Sequence, residues 1–401
     1  MYPNLYFAFL DLLGLDLPFL KLVNSFGFFV AMAFLIGGYL IRLEFIRLTN
    51  SGVFRSNKIQ SLTGLPATST EIFSQAFIGF LFGWKFLYLA FNARTLFSDG
   101  SIPQSHLLSL EGSIPLGILL AFILGGWRYY EGRKNALPKP KMETIEVAPS
   151  EHVGGILTVA AIGGVLGAKL FHLIEYPEQF IEFFKNPSLN AFLGGLTIYG
   201  GLIIGGVSVY LYTRHYKLKF LNVADATAPS LILGYGIGRL GCQISGDGDW
   251  GIPNPSPQPS WMNWLPDWTW SYNFPNNVNG VGRFISESDS LNVYPGYGTV
   301  LDPAVYPTSL YETTISIILF IVLWSIRKKL KYAGLLFAVY LMMNGTERFF
   351  IEKIRVNTTF DLLGITMTQA ELISTTLFLS GAVLFYFLNV QKASIKDEIS
   401  S

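Results

Sequence analysis

Long apolar runs separated by short polar intervals recur from one end of the chain to the other. Nine of them approach the roughly twenty residues that a helix needs to cross a bilayer. They cover about 18–41, 71–91, 113–127, 153–172, 194–213, 222–241, 307–326, 333–351 and 370–390, the third being the shortest. The pattern predicts an all-α polytopic integral membrane protein with about nine transmembrane helices. No basic stretch precedes the first run and no small-residue cleavage site follows it, so a cleaved signal peptide is not expected.

The basic residues orient these runs, because Lys and Arg concentrate in loops that stay in the cytoplasm. Of the 28 Lys and Arg, 18 fall in 42–70, 128–150, 214–219, 327–331 and the tail after 390. The alternate loops hold 6. Nine crossings with the N-terminus outside and the C-terminus cytoplasmic satisfy that split. Only 14% of residues are charged, against about a quarter in soluble proteins. A net charge of +1 argues against a nucleic-acid partner, and a single cysteine offers no disulfide framework. Neither a metal site nor a cofactor is expected, and the chain is expected to act as a monomer.

Gly236 to Gly241 spells the GxGxxG spacing of a dinucleotide-binding turn. Here it closes an apolar crossing and leads into a Pro- and Trp-rich segment, so a nucleotide fold is excluded. Small residues at that place instead allow close approach of a helix or a lipid chain.

Subtracting the loop residues leaves Lys85, Lys169, Arg239 and Arg348 inside crossings. A cation there costs at least about 2.5–3.5 kcal/mol and needs a reason. Arg239 and Arg348 both lie near the outer ends of their crossings. A lone arginine at that depth reads equally well as a snorkelling anchor. Two at one depth, one flanked by glycines, favour an anion site, since the guanidinium fork matches phosphate. Lys85 and Lys169 read as snorkelling or paired. Arg348, Glu352 and Arg355 share one helix face, and Glu352 is expected to hold both arginines. Asp225 reads as a structural cap or a helix-pairing acid. The stretch GGLTIYGGLIIGG (194–206) is poor helix-forming material and suits a thin-walled groove, with Tyr199 in the layer of Arg239.

Ser25-Phe26-Gly27, GGVLG (163–167), GGLTIYGGLIIGG, VADATAP (223–229), GRLGCQISGDGDWG (238–251), YPTSLYE (306–312), NGTERFFIEKIR (344–355) and MTQ (367–369) follow in an order that resembles the prolipoprotein diacylglyceryl transferase family. The resemblance implies a bacterial inner-membrane enzyme with its site towards the outer leaflet. It implies transfer of sn-1,2-diacylglycerol from phosphatidylglycerol to the lipobox cysteine thiol of a prolipoprotein, releasing glycerol 1-phosphate. Arg239 and Arg348 match the family's two essential arginines, and Tyr199 stands where the family has a catalytic histidine. Gly200, Gly201, Gly241, Gly251, Gln243 and Ser245 fall in the implied lipid-binding motifs. Asp225, Asp247, Asp249, Glu352, Arg355, Asn344, Tyr311 and His172 are the implied supporting residues.

Several positions depart from the family pattern. Cys242 and Gln243 replace Asn-Phe of the signature, Ser245 replaces Asn, and Asp247 or Asp249 stands for Glu. A neutral phenol at Tyr199 is a poor base near pH 7, and His172, in the same layer, is the candidate to take that role. Phe26 and Asn344 stand where the family has tyrosines. A covalent intermediate on Cys242 is not expected, because the family works without a cysteine there.

The family has seven crossings, so 71–127 reads as an inserted helix pair within a catalytic domain spanning 1–391. Residues 242–306 form an outside arm, containing Trp261, Trp264, Trp268 and Trp270, that either guides the signal peptide or anchors in the headgroup layer; 392–401 form a cytoplasmic tail. The alternatives are an anion or lipid transporter, or a phospholipid-binding homologue without catalysis.

Overall fold

Each of the nine apolar runs is helical in the computed structural model, which describes residues 1–97, 106–107, 109–178, 185, 195, 197–330, 332–362 and 364–400, with backbone alone at 59, 362, 365 and 391–400. A short helix, α1 (Leu5–Leu13), comes first. The long helices are α2 (Ser25–Asn50), α3 (Ser69–Leu96), α4 (Ile114–Lys134), α5 (Val153–Glu175), α6 (Ile198–His215), α7 (Phe220–Ser245), α8 (Thr308–Ile326), α9 (Leu335–Glu352) and α10 (Gln369–Ser400). Gly194 and Leu196, at the head of the glycine-rich run, lie outside the described residues. Among the described residues, α2, α3, α5, α8 and α10 are long and apolar enough to cross a membrane. Helix middles leave Leu35, Phe73, Phe91, Phe122 and Leu202 between 69% and 77% exposed. Faces this apolar are covered by hydrocarbon. The chain is an all-α membrane protein.

Local signals set the helix ends. The first run was expected to become helical at 18; instead Pro18–Leu22 make a 3-10 turn, and α2 starts where the Asn24 side chain accepts the Phe26 N–H at 2.8 Å. Residues 236–241 sit inside α7 with no strand ahead of them, as their context required.

The α3–α4 pair has its own entrance. Strand β1 (Asn57–Thr63) runs antiparallel to β2 (Lys141–Val147), with Asn57 opposite Val147, so α3 and α4 leave and return through one clasp. A Cβ on Gly83 would collide with the Leu116 carbonyl, which shows how closely the two helices are knitted. Lys85 lies in a π-helical turn, Phe82–Leu87, and its buried ammonium donates to the carbonyls of Ser109 (2.5 Å) and Glu111 (2.7 Å) and to Ser109 Oγ (3.0 Å). The paired reading of Lys85 holds. At the same end Lys21 Nζ donates to the Phe97 carbonyl at 3.0 Å and Arg94 pairs with Asp16 at 2.9 Å.

In the body, α7 packs between α2 and α8, α5 against α6, and α9 against α10. Asp225 accepts the Gly334 and Phe337 N–H groups at 2.7 and 2.8 Å, so it caps the start of α9 as expected. Nearby, Glu44 accepts from Arg47 Nε and Arg327 Nε, both at 2.8 Å. The arm between α7 and α8 has its own small core of Phe274, Leu301 and Val305 and a two-residue ladder, β3 (Arg283–Phe284) with β4 (Thr299–Val300). A last hairpin, β5 (Thr359–Leu362) with β6 (Ile365–Thr368), joins α9 to α10.

Candidate active site

The site forms where α7 stops. Gly246 caps the helix at φ 66° and Gly248 follows at φ 99°, left-handed conformations that glycine adopts without strain. The chain doubles back, and Asp249 comes to rest beside Arg239 and Cys242 of the preceding turns. Thr308 Oγ1 donates to the Asp249 carbonyl at 2.8 Å and holds it there. Two residues on, Gly251 pairs with Arg355 in an antiparallel bridge, where a Cβ would stand 2.5 Å from the Ile354 carbonyl. That close approach brings Arg355, beyond the end of α9, into the same cluster.

Glu312, on α8, is the hub. Its side chain has no exposed surface, and it pairs with Arg239 Nε at 3.1 Å, Arg348 Nη1 at 2.9 Å and Arg355 Nη1 at 3.4 Å. Tyr235 OH donates to it at 2.9 Å, and the Arg239 guanidinium lies over the Tyr235 ring at 5.2 Å. Asp249 bridges Arg239 Nη1 and Arg355 Nη2. Burial opposes its ionisation, but these two guanidiniums outweigh that and hold the carboxyl below the usual carboxylate range. Burial and the charge of Asp249 push the Asp247 carboxyl up.

Glu352 pairs with Arg348 Nη2 at 3.1 Å and accepts from Asn357 Nδ2 at 2.6 Å. It was expected to hold both arginines; Arg355 instead turns to Asp249 and Glu312, because the bridge to Gly251 points it away from α9. Three arginines thus face three paired acids: Asp249, Glu312 and Glu352. Each guanidinium carries more N–H donors than those contacts consume, so donors remain for an anion. The half-open side is at Asp249, whose side chain is 30% exposed.

Tyr199, half-buried near the start of α6, lies within electrostatic reach of Arg348, Glu352 and Arg355. The glycines around it do not make the expected groove: Gly200 meets the Gly167 carbonyl and Phe171, and a Cβ on Gly201 would stand 3.0 Å from the Gly164 carbonyl. Their small size is used to knit α6 to α5. Gly241 likewise lets α7 close on Phe26 and Phe29 of α2.

The other sequence candidates divide. Cys242 Sγ donates to Asp249 Oδ2 at 3.3 Å and stands 4.0 Å from Arg239 Nη1, inside the cluster. Gln243 is buried and accepts from Ser309 Oγ at 2.7 Å, linking α7 to α8, and Ser245 is fully buried in the last turn of α7. Tyr311 OH donates to the Thr269 carbonyl at 2.9 Å and pins the arm. Asn344 is half-buried one helical turn before Arg348. His172 is buried, stacks on Tyr176 and abuts Gly195. Glu312 was missed although its motif was noted; an acid standing inside an apolar run was the available signal.

Residues 113–387 match the family Prolipoprotein diacylglyceryl transferase. The chain is similar to the phosphatidylglycerol–prolipoprotein diacylglyceryl transferase of Bifidobacterium adolescentis, with 30% identity over 57% of this chain and 64% of that protein. It is similar to those of Stenotrophomonas maltophilia, 28% over 67% of this chain and 83% of that one, and Clostridium novyi, 29% over 70% and 91%. It therefore spans just under two thirds of the first relative's length and most of the other two. With a family match that covers well over half of its residues, the chain belongs to the prolipoprotein diacylglyceryl transferase family.

Proposed function

We propose that the protein transfers the sn-1,2-diacylglyceryl group of phosphatidylglycerol to the lipobox cysteine thiol of prolipoproteins. The observation that carries this reading is the convergence of Arg239, Arg348 and Arg355 on Glu312 at one end of the helix bundle. The thiol sulfur attacks the sn-3 carbon of the diacylglyceryl group and the carbon–oxygen bond to phosphate breaks. The electron pair stays on the departing oxygen and the thiol proton ends on the phosphate, giving glycerol 1-phosphate and a thioether. Charge gathers on that oxygen in the transition state, where fixed guanidinium donors help most. Arg239 and Arg348 bind the phosphate, Tyr199 hydrogen-bonds it or the glycerol, and Glu312, Glu352 and Asp249 hold the arginines in place.

The chain crosses a bacterial inner membrane nine times, N-terminus outside, with the arginine cluster at the outer leaflet. The basic loops and the nine helices support this orientation. Residues 71–127 are an insertion within the 1–391 catalytic domain, as the clasp around them suggests, and 392–401 are a cytoplasmic tail. The arm, 242–306, rests on headgroups through Trp261, Trp264 and Trp268, which are 70%, 77% and 43% exposed. The test is purified protein with phosphatidylglycerol and a lipobox peptide, read by mass spectrometry. Thioether peptide with stoichiometric glycerol phosphate is the expected result, and its absence from folded protein refutes the reading.

A further inference from the structure

Glu347, one helix position before Arg348, is 5% exposed, and among the described residues neither of its carboxylate oxygens has a hydrogen-bond partner. Its neighbours Glu312 and Glu352 are tied directly to guanidiniums. Glu347 feels Arg348, Arg239 and Arg355 only at longer range, and Glu312 repels it. A buried carboxyl left without a donor is costly, so this position calls for one.

The same residue lines a cleft of about 550 Å³ between α8, α9 and α10, walled by Leu319, Met342, Met343 and Phe378. That volume is in the range of small-molecule sites. Thr346 is the other polar lining residue, and its hydroxyl is spent on the Met342 carbonyl at 2.8 Å. Along α9 the cleft runs from Met342 to Ile351, about 13 Å at the helical rise. It offers a long apolar wall and, buried at its edge near the arginine cluster, one unpartnered carboxyl. An amphiphile with a hydrocarbon chain, an anionic centre and a neutral hydrogen-bond donor fits all three features. An ammonium headgroup fits less well, because the three arginines that attract the phosphate repel it.

We infer that the cleft seats a hydrocarbon chain of phosphatidylglycerol and that Glu347 accepts a hydrogen bond from a hydroxyl of its glycerol headgroup. The inference rests on the transfer reading above and adds to it the residue that selects the lipid by its headgroup.

The test is a competition between phosphatidylglycerol and phosphatidyl-n-propanol with identical acyl chains, which share a charge and differ in the headgroup hydroxyls. Purified full-length protein is offered both in equal amounts, and retained lipid is read by native mass spectrometry. Wild type is expected to hold phosphatidylglycerol in about fivefold excess, the scale of one net hydrogen bond. Glu347→Leu should bring the ratio near one and Glu347→Gln to an intermediate value, while Thr346→Val keeps the wild-type ratio. A merely structural role lowers both lipids together and leaves the ratio unmoved, which overturns the inference, as does equal retention by wild type. Preferential retention of phosphatidylethanolamine in a third arm also overturns it. Selective retention without any thioether product in the transfer assay sinks the catalytic reading alone.

Discussion

Two buried glutamates, near opposite ends of the helix bundle, are each ringed by arginines. Glu44 is held by Arg47 and Arg327, and Arg327 lies over Trp324 at 3.6 Å and donates to the Trp324 carbonyl. Glu312 is held by Arg239, Arg348 and Arg355, and those arginines share two further acids. The ingredients are alike and the surroundings differ. Around Glu44 the faces of Arg327 are covered by its own helix, and Arg47 turns partly to solvent. Around Glu312 the chain doubles back through glycines, and the bridge between Gly251 and Arg355 closes the cluster from a second side. A buried ion pair alone is weak evidence for function or for stability. Three arginines sharing three acids, gathered from α7, α8, α9 and the returning loop, distinguish the Glu312 cluster.

The sharpest way to break the comparison is to remove an arginine from each cluster. Arg239→Ala and Arg348→Ala should each reduce transfer at least about a hundredfold, the scale of losing one transition-state donor. Lys in either place should restore only part, since the planar fork is lost. Arg327→Ala should leave the turnover of folded protein close to wild type. Near-normal transfer by either alanine variant of Arg239 or Arg348, measured in membrane-inserted protein, removes the phosphate-binding assignment.

Replacing the hubs comes next. Glu312→Gln leaves three guanidiniums short of their shared acid and should cost about 3–5 kcal/mol of stability. Glu44→Gln should cost less, because Arg47 can swing into solvent. Thermal midpoints in one detergent compare the two, and an equal or larger loss at Glu44 contradicts the distinction. A smaller effect is expected at Tyr199, where Phe should slow transfer on the order of tenfold, about 1.4 kcal/mol. A loss as large as that of Arg239→Ala would make Tyr199 a proton-transfer group after all. Cys242→Ser should change least, because in the proposed reaction the nucleophilic thiol belongs to the peptide. Abolished transfer together with an isolated lipid adduct on Cys242 would reverse that conclusion.

Hydropathy located the helices but not their ends. Runs predicted to stop at 41 and 127 continue as helix to Asn50 and Lys134, because hydropathy marks the hydrocarbon slab, whereas Arg, Glu and Lys extend a helix readily beyond it. The start of α2 was readable in Asn24, a capping residue outside the apolar pattern. At the site, Arg239 and Arg348 were legible because a cation among apolar residues demands an explanation. Glu312 and Glu347 demanded the same explanation, and only the bases had been counted. The role of Arg355 was not legible in one helix face, since its partners come from the returning loop at Asp249 and from α8. The glycines of α6 were misread for a related reason. A small residue permits close approach, but only the fold decides whether a lipid or another helix makes it.

The clasp between β1 and β2 also bears on mechanics. The α3–α4 pair meets the body at one end, through Lys21 with Phe97 and Arg94 with Asp16, while at the other end the clasp fastens its two connecting strands to each other. The two helices can therefore shift only as a unit, because parting them breaks both that ladder and the close approach at Gly83.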